Sequence, residues 1–348
     1  MLPATALCIV GLGARTPVGL RAYPSAAAVR AGISRIREHP FMVGKSGDPF
    51  QVAMDGTIAD HLRLPRMYAL AASALDEALQ CLPAAVAARL PVYLGLPELG
   101  SQFTDGQAQE LCGRLAECRK DRYRVQVEGI PLGNAAGIVA LERAIANLGA
   151  GPDSCCIVGG VDSMIDADVL EALDEAGRLA SPSTRWGFPP GEGAGMLAVC
   201  NLAFAQQHRL AILATIAAAT SDYEPNSIHT KSICTGVGLA AVLLKAAALA
   251  GSSISRQYCD LNGERYREHE FSYAILRVPR TAFINAVDYV APVDCWGHSG
   301  AATVPLLALL PIANHQRGAS PGLSPMIWCG SDSGLRGAVV LHLPKRSS

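Results

Sequence analysis

Asn134 occupies a position where chemistry is easily done. It sits in Gly133-Asn134-Ala135-Ala136-Gly137, between a strand-like run and a helical one, inside the stretch Val125–Gly160. The small residues let the backbone turn sharply and put the Asn134 side chain at a helix N-terminus. Free amides and the helix dipole stabilise developing negative charge there, so a nucleophile belongs at that place. A carboxamide occupies it instead, and an amide is not a usable nucleophile at neutral pH. A second polar group stands in Cys295-Trp-Gly297-His298-Ser299-Gly300-Ala301-Ala302, where His298 is either an acid/base or an imidazole held by packing. Cys295 lies before the glycine turn and not at a helix N-terminus, which argues against a relocated nucleophile. Gly191-Glu192-Gly193-Ala194-Gly195 holds a carboxylate among glycines that permit close backbone approach, and Glu192 reads as a structural acceptor of backbone amides.

No Cys-x-x-Cys pair and no His/Cys ligand spacing occurs, so no metal site is expected. Gly11-x-Gly13 follows a strand, but Thr16 stands where a dinucleotide fingerprint needs its third glycine. Pro17 would also stop a helix from opening there, so no cofactor is expected.

The elements that position these groups follow from periodicity. Ile138, Leu141, Ile145 and Leu148 form one helical stripe, with Gly149 expected as its left-handed cap. Cys155-Cys156-Ile157-Val158 reads as a strand covered on both faces, whose adjacent cysteines point apart and cannot bridge. Before this stretch the spacing predicts a strand at Leu7–Leu12, a helix and turn over Ala26–Ile33, a helix over Leu64–Leu82, a strand at Pro91–Gly95 and a helix over Gln107–Cys118. Residues 34–60 read as a surface excursion, Arg119–Arg124 as a basic solvated face and Asp166–Glu175 as an acidic amphipathic segment. After it come a strand at Leu210–Thr220, a helix over Gly236–Ala250 on Leu239, Val242, Leu243 and Leu249, and a strand at Tyr258–Leu261. A helix runs through Leu310, and strands at Met326–Cys329 and Gly337–Leu343 close the series. Strand–helix alternation in two successive halves predicts α/β layers with mainly parallel strands.

Bulk properties narrow the function classes. At 348 residues the chain can bury a large core, and 50% hydrophobic against 17% charged residues marks a globular protein. A net charge of −1, scattered Lys/Arg and 5% aromatics exclude a nucleic-acid footprint. No apolar run approaches the ~18 residues of a membrane span, and the opening MLPATALCIVGLG lacks the basic region of a signal peptide. Eleven cysteines in mostly apolar contexts read as buried, reduced thiols of a cytoplasmic protein.

Together these motifs resemble the β-ketoacyl synthases, condensing enzymes of the thiolase superfamily. Their order runs strand, Gly-x-Gly, Thr16-Pro-x-Gly19; then a small-residue elbow, a helix and a strand ending in Gly159-Gly160; then Gly191-Glu-Gly-Ala-Gly195. The resemblance implies a thiolase-like α/β fold with two pseudo-repeated halves, 1–200 and 201–348, in five layers (α/β/α/β/α). It also implies a homodimer formed partly by the strand before Asn134. Residue by residue, Asn134 stands at the family's cysteine and Asn262, in Asp260-Leu261-Asn262-Gly263-Glu264, at its first histidine. His298 is kept as the second histidine, Val293 replaces a lysine, and Asp332-Ser333-Gly334 replaces a Phe-Gly-Gly gate. One catalytic side chain of four remains. Family topology would gather Asn134, Asp260, Asn262, Glu264, Arg265, His298 and Asp332 around one charged pocket that does not suit a fatty acyl chain, with Gly191, Glu192, Gly193 and Gly195 as structural support. Against that family the chain is short, and the resemblance places the deficit in the lid and acyl-tunnel insertions.

The function this implies is a non-condensing binding, adaptor or accessory protein. Asp260-Leu-Asn-Gly-Glu-Arg-Tyr-Arg267 resembles the segment of degenerate thiolase-like proteins encoded beside type VI secretion effectors with PAAR-type tips, which suggests an effector or spike component as partner. Two alternatives are an acyl-thioester decarboxylase or acyltransferase using His298, and a subunit that modulates an active ketosynthase as chain-length factors do.

Overall fold

The computed structural model describes residues 6–83, 89–117, 123–150, 154–181, 184 and 186–345. Its first half holds β1 (Leu7–Arg15), α1 (Ala22–Arg30), β2 (Ile36–Val43), β3 (Pro49–Ala53), α2 (Arg63–Leu79), β4 (Leu90–Leu96), α3 (Asp105–Glu117), β5 (Val125–Pro131), α4 (Ala136–Ala150), β6 (Cys155–Ser163), α5 (Ala167–Glu175) and β7 (Glu192–Asn201). The second holds α6 (Leu202–Gln207), β8 (Ala214–Tyr223), α7 (Val237–Ala250), β9 (Arg256–Cys259), α8 (Arg265–Ile275), β10 (Tyr289–Val290), α9 (Val293–Trp296), α10 (Thr303–Gln316), β11 (Pro325–Gly330) and β12 (Leu335–His342).

Ten strands form one sheet in the order β10-β9-β11-β12-β8-β1-β7-β6-β4-β5. Counted inward from either edge, the two groups of five have the same order: third, second, fourth, fifth and first strand of the group. The outer three are parallel in both, and the fifth strand runs antiparallel to both its neighbours. The repeat that no residue pattern reveals is therefore explicit in the pairing. The sheet is mixed, which corrects the expectation of mainly parallel strands. Only strands joined by a helical crossover can run parallel, whereas β11 and β12 are joined by a turn of four residues that must reverse the chain.

Local patterns account for most elements and their departures. In α4 the buried stripe is Ile138, Leu141, Ala144 and Leu148; Ile145 is 38% exposed, because the inward face rotates through the alanine. The helix also runs through Gly149 to Ala150, so Gly149 is not the cap expected of it. In α7, Leu239, Val242 and Leu243 are buried, but Leu249 is exposed. Residues 34–60 contain a hairpin, β2 paired antiparallel to β3, rather than irregular chain. Its first strand is mostly exposed, so polar composition there marked solvent and not the absence of a strand. Cys155 and Cys156 are both buried in β6, as a strand covered on two faces requires. Most of the basic run Arg119–Arg124 lies outside the described residues.

Two helices position the site. α4 packs on β4 and β6 of its own half and on β8 and β12 of the other, while α10 packs on β11 and on β6 and β7 across the divide. One apolar cluster spans both, including Ile138, Leu141, Val304, Leu307 and Leu310. The N-terminal turns of α4 and α10 thereby meet. Among the described residues no helix is long and apolar enough to cross a membrane.

Candidate functional site

The turn that presents Asn134 begins at Gly133, whose φ of +69° is a left-handed conformation that only glycine adopts without strain. One 3-10 turn, Gly133–Ala135, then leads into α4. The Asn134 amide Nδ2 donates to Asp260 Oδ2 at 3.0 Å and lies 3.2 Å from His298 Nε2. With Nδ2 as donor, Nε2 accepts, which is the arrangement of a neutral imidazole. Asp260, just beyond β9, also accepts from the Gly330 amide at 3.1 Å and from the buried Arg267 guanidinium.

His298 is held from the main chain. Its amide donates to Pro189 O at 2.8 Å, and its carbonyl accepts from the Gly191 amide at 3.0 Å. The loop crosses so closely that a Cβ on Gly191 would lie 2.4 Å from Trp296 O. Phe188 packs on the imidazole with ring centroids 4.7 Å apart. Burial pushes the His298 pKa below the ordinary histidine value, and Arg178 adds to this, while Asp260, Glu264 and Asp332 oppose it without reversing it.

A second cluster adjoins the first. Arg178, in the loop after α5, donates Nε to Glu264 Oε1 at 2.7 Å and Nη2 to Oε2 at 2.9 Å. The same guanidinium donates Nη1 to Asp332 Oδ2 at 2.5 Å and lies 5.4 Å over the Phe188 ring. Asn262 is bound to Glu264 in both directions, Nδ2 to Oε2 at 3.0 Å and the Glu264 amide to Oδ1 at 3.1 Å. Tyr266 Oη donates to Asp332 Oδ1 at 3.2 Å. Burial alone would raise the Asp332 carboxyl, but the Arg178 charge and its hydrogen bonds outweigh this and hold it below the usual carboxylate range.

The seven pocket residues named from sequence thus divide. Asn134, Asp260 and His298 touch one another, and Asn262, Glu264 and Asp332 are tied together through Arg178. Arg265 belongs to neither: it is exposed and lies 5.8 Å over the Trp186 ring. Its place as a buried cation is taken by Arg267, two residues further along α8, which pairs with Asp260 and with Glu270 at 2.9 Å. Sequence reasoning missed Arg178 and Arg267, and helical spacing was the available signal for the latter, since Arg267, Glu270 and Phe271 share the buried face of α8.

Glu192 is fully buried and accepts from Arg66 Nε at 2.8 Å, the Asp55 amide at 2.7 Å and Ser163 Oγ at 2.9 Å. It joins α2, the chain after β3 and β6 beneath the site. Gly193 and Gly195 face Leu306 and Pro305 of α10. The Cys295 thiol is pushed up by burial and by Asp294, away from nucleophilic character.

Among the described residues one group has metal-like spacing: Glu224, Cys234 and Glu270 bring ligand atoms within 4.8 Å of one another. Both Glu270 oxygens already accept from Arg267 and Arg336, and Glu224 caps α7 by accepting from the Gly238 amide at 2.8 Å. With Glu270 held by two guanidinium groups the set does not suit a cation, although Glu224 Oε1 is left without a hydrogen-bond partner among the described residues. In front of Asn134, Arg178, His298 and Asp332 line a cavity of about 370 Å³ together with Arg63 and Glu98.

Residues 133–205 match the family described as Beta-ketoacyl synthase, N-terminal domain. None of the curated proteins compared with the chain matches it. Several solved structures resemble it over nearly their full length. The ishigamide ketosynthase/chain length factor is 18% identical with a TM-score of 0.82, over 98% of this chain and 99% of that one. A type II polyketide synthase acyl-carrier protein in complex with its hexaketide-bound ketosynthase (AntDE:AntF) gives 14%, 0.79, 97% and 99%. A β-ketoacyl synthase from Burkholderia phymatum STM815 gives 14%, 0.76, 98% and 100%. Residues 133–205 are therefore similar to the β-ketoacyl synthase N-terminal domain, within a chain that has the ketosynthase fold from end to end.

Proposed function

We propose that the protein is a non-condensing ketosynthase-like chain that works by binding another protein and not by turning over acyl thioesters. Asn134 carries this reading: the side chain at the N-terminus of α4 is a carboxamide whose amino group is already engaged by Asp260 and His298. A ketosynthase needs a thiolate there to form its acyl-enzyme, and no bond of that kind can form on Asn134. Asn262 cannot carry a proton, and its amide is turned onto Glu264. Arg178, joined to Glu264 and Asp332, lines the space in front with charge, which favours a polar occupant over an acyl chain.

In this reading residues 1–200 and 201–348 are the two halves of a five-layered thiolase-like fold, with α4 and α10 as the central layer. That placement is supported by their packing on strands of both halves. The partner surface is the free edge of the sheet at β5, the strand just before Asn134. A second copy or an active ketosynthase would extend the sheet there. The presence of a ketosynthase/chain length factor pair among the similar structures supports an accessory role. Most described cysteines are buried, in keeping with the reduced thiols of a cytoplasmic protein.

Purifying the tagged protein from its own cells and identifying what accompanies it tests the proposal. A stoichiometric partner is expected: a second copy, a ketosynthase, or the secretion effector or spike component that the Asp260–Arg267 segment suggests. A chain that purifies alone and releases CO₂ or free thiol from malonyl or acyl thioesters, with that activity lost in His298→Ala, would overturn it in favour of an acyl-thioester decarboxylase or acyltransferase.

A further inference from the structure

A cavity of about 820 Å³ lies on the other side of the Phe188 loop from Asn134, and its described lining contains neither Asn134 nor His298. Its size falls within the range of small-molecule sites, roughly 300–1,000 Å³. Leu261 and Val293 line it, and both also line a narrow void of about 20 Å³ that reaches Asp260 and His298. The cavity therefore stands behind the histidine, beside the position where the family's lysine is replaced by Val293.

Its chemistry is one-sided. The described lining residues include no Lys, Arg or His, and the two charged ones, Glu268 and Asp294, are both acids. Three nearby guanidinium groups are committed elsewhere, Arg267 to Asp260 and Glu270, Arg178 to Glu264 and Asp332, Arg256 to Asp288, while the exposed Arg35 and Arg37 on either side of Ile36 line a separate cavity. Glu268 is only partly exposed, and no hydrogen bond or ion pair of the described residues reaches its carboxylate. Burial raises its pKa, and the charge of the neighbouring Arg267, itself bound to Asp260 and Glu270, offsets this only in part. Tyr289 stands close enough to feel that charge. The Asn262 side chain is turned to Glu264 and away from a guest.

We infer that this cavity is a binding site for a small molecule, or an inserted side chain, that carries an ammonium or guanidinium group on an apolar body, with Glu268 and Asp294 receiving the cation. An apolar wall holds the body, and the unpaired carboxylates select the charge. An anionic guest, including a phosphopantetheinyl thioester, meets two like charges and no cation among the described lining residues. The inference stands apart from the reading of Asn134: an amine could bind here whether or not the front site is inert.

Calorimetric titration of the full chain with hexylamine and, separately, hexanoate tests it. Hexylamine is expected to bind at one site, and hexanoate is not. Glu268→Gln, which keeps shape and removes charge at a position with no internal partner, should weaken hexylamine binding by about tenfold or more without lowering Tm. Val293→Lys should abolish it by placing a tethered ammonium in the same space. A third arm, acetyl-Leu-Lys-Leu amide, separates the sources of the cation: tighter binding than hexylamine assigns it to a protein lysine, weaker binding to a free amine. Equal binding of hexanoate and hexylamine, or unchanged hexylamine binding in both folded variants, would overturn the inference.

Discussion

At the scale of single residues, the account rests on a contact between an amide and an imidazole. Asn134 and His298 lie 164 positions apart, and the hydrogen bond between them leaves Nε2 unprotonated. Burial opposes the charged ring, so its pKa in the folded protein lies below that in the unfolded chain. The consequence for stability has a definite sign. As pH falls below about 6.5 the unfolded chain takes up a proton that the folded one resists, so folding weakens with acidification in that window. His298→Phe should flatten this part of the pH–stability profile, read from urea midpoints in a pH series. Arg178 makes a second prediction. Arg178→Met leaves Glu264 buried without its counter-ion, which should cost about 3–5 kcal/mol, recovered in part as the pH is lowered and the carboxyls protonate. Asn134 and His298 were legible because turn chemistry and glycine spacing announce them locally. Arg178 was not, because its partners lie 86 and 154 positions away and nothing in its own neighbourhood marks it.

Elements explain why these side chains stay in place. β7 begins at Glu192, and the residue before it carries the hydrogen bond that fixes the His298 backbone. Gly191→Ala would push a Cβ to 2.4 Å from Trp296 O and 2.9 Å from the Gly297 backbone, with no flexible side-chain atom to yield. Denaturant unfolding should show a loss of about 1–3 kcal/mol, with the His298 loop displaced. Glu192→Gln should cost more, about 3–5 kcal/mol, because the Arg66 guanidinium beneath would remain buried and unpaired. The Gly-Glu-Gly-Ala-Gly run told in advance that a carboxylate would be held among close backbones. It could not tell that Arg66 of α2 would be its partner. The hairpin β2–β3 escaped because an exposed strand lacks the apolar alternation that a half-buried one shows. Periodicity likewise overvalued Ile145, since a helical stripe fixes which side is buried only to within one residue.

The whole molecule shows a doubled five-strand pattern and an uncovered edge. Five elements of one half return in the other with the same neighbours and the same directions, although the residues no longer match. Backbone pairing tolerates such divergence because it depends on hydrogen bonds common to all residues, whereas catalysis depends on particular side chains. The fold could thus be read from glycine-rich turns while the pairing of charges inside it could not. If β5 joins a second chain, light scattering on the purified protein should give a dimer mass, and Gln126→Lys at an exposed position of that strand should shift it towards monomer without unfolding it. The central claim concerns what the scaffold no longer does, and intact-mass spectrometry after incubation with malonyl and acyl thioesters tests it most directly. The account predicts an unchanged mass and no His298-dependent release of free thiol. An acyl increment carried covalently by this chain would contradict it.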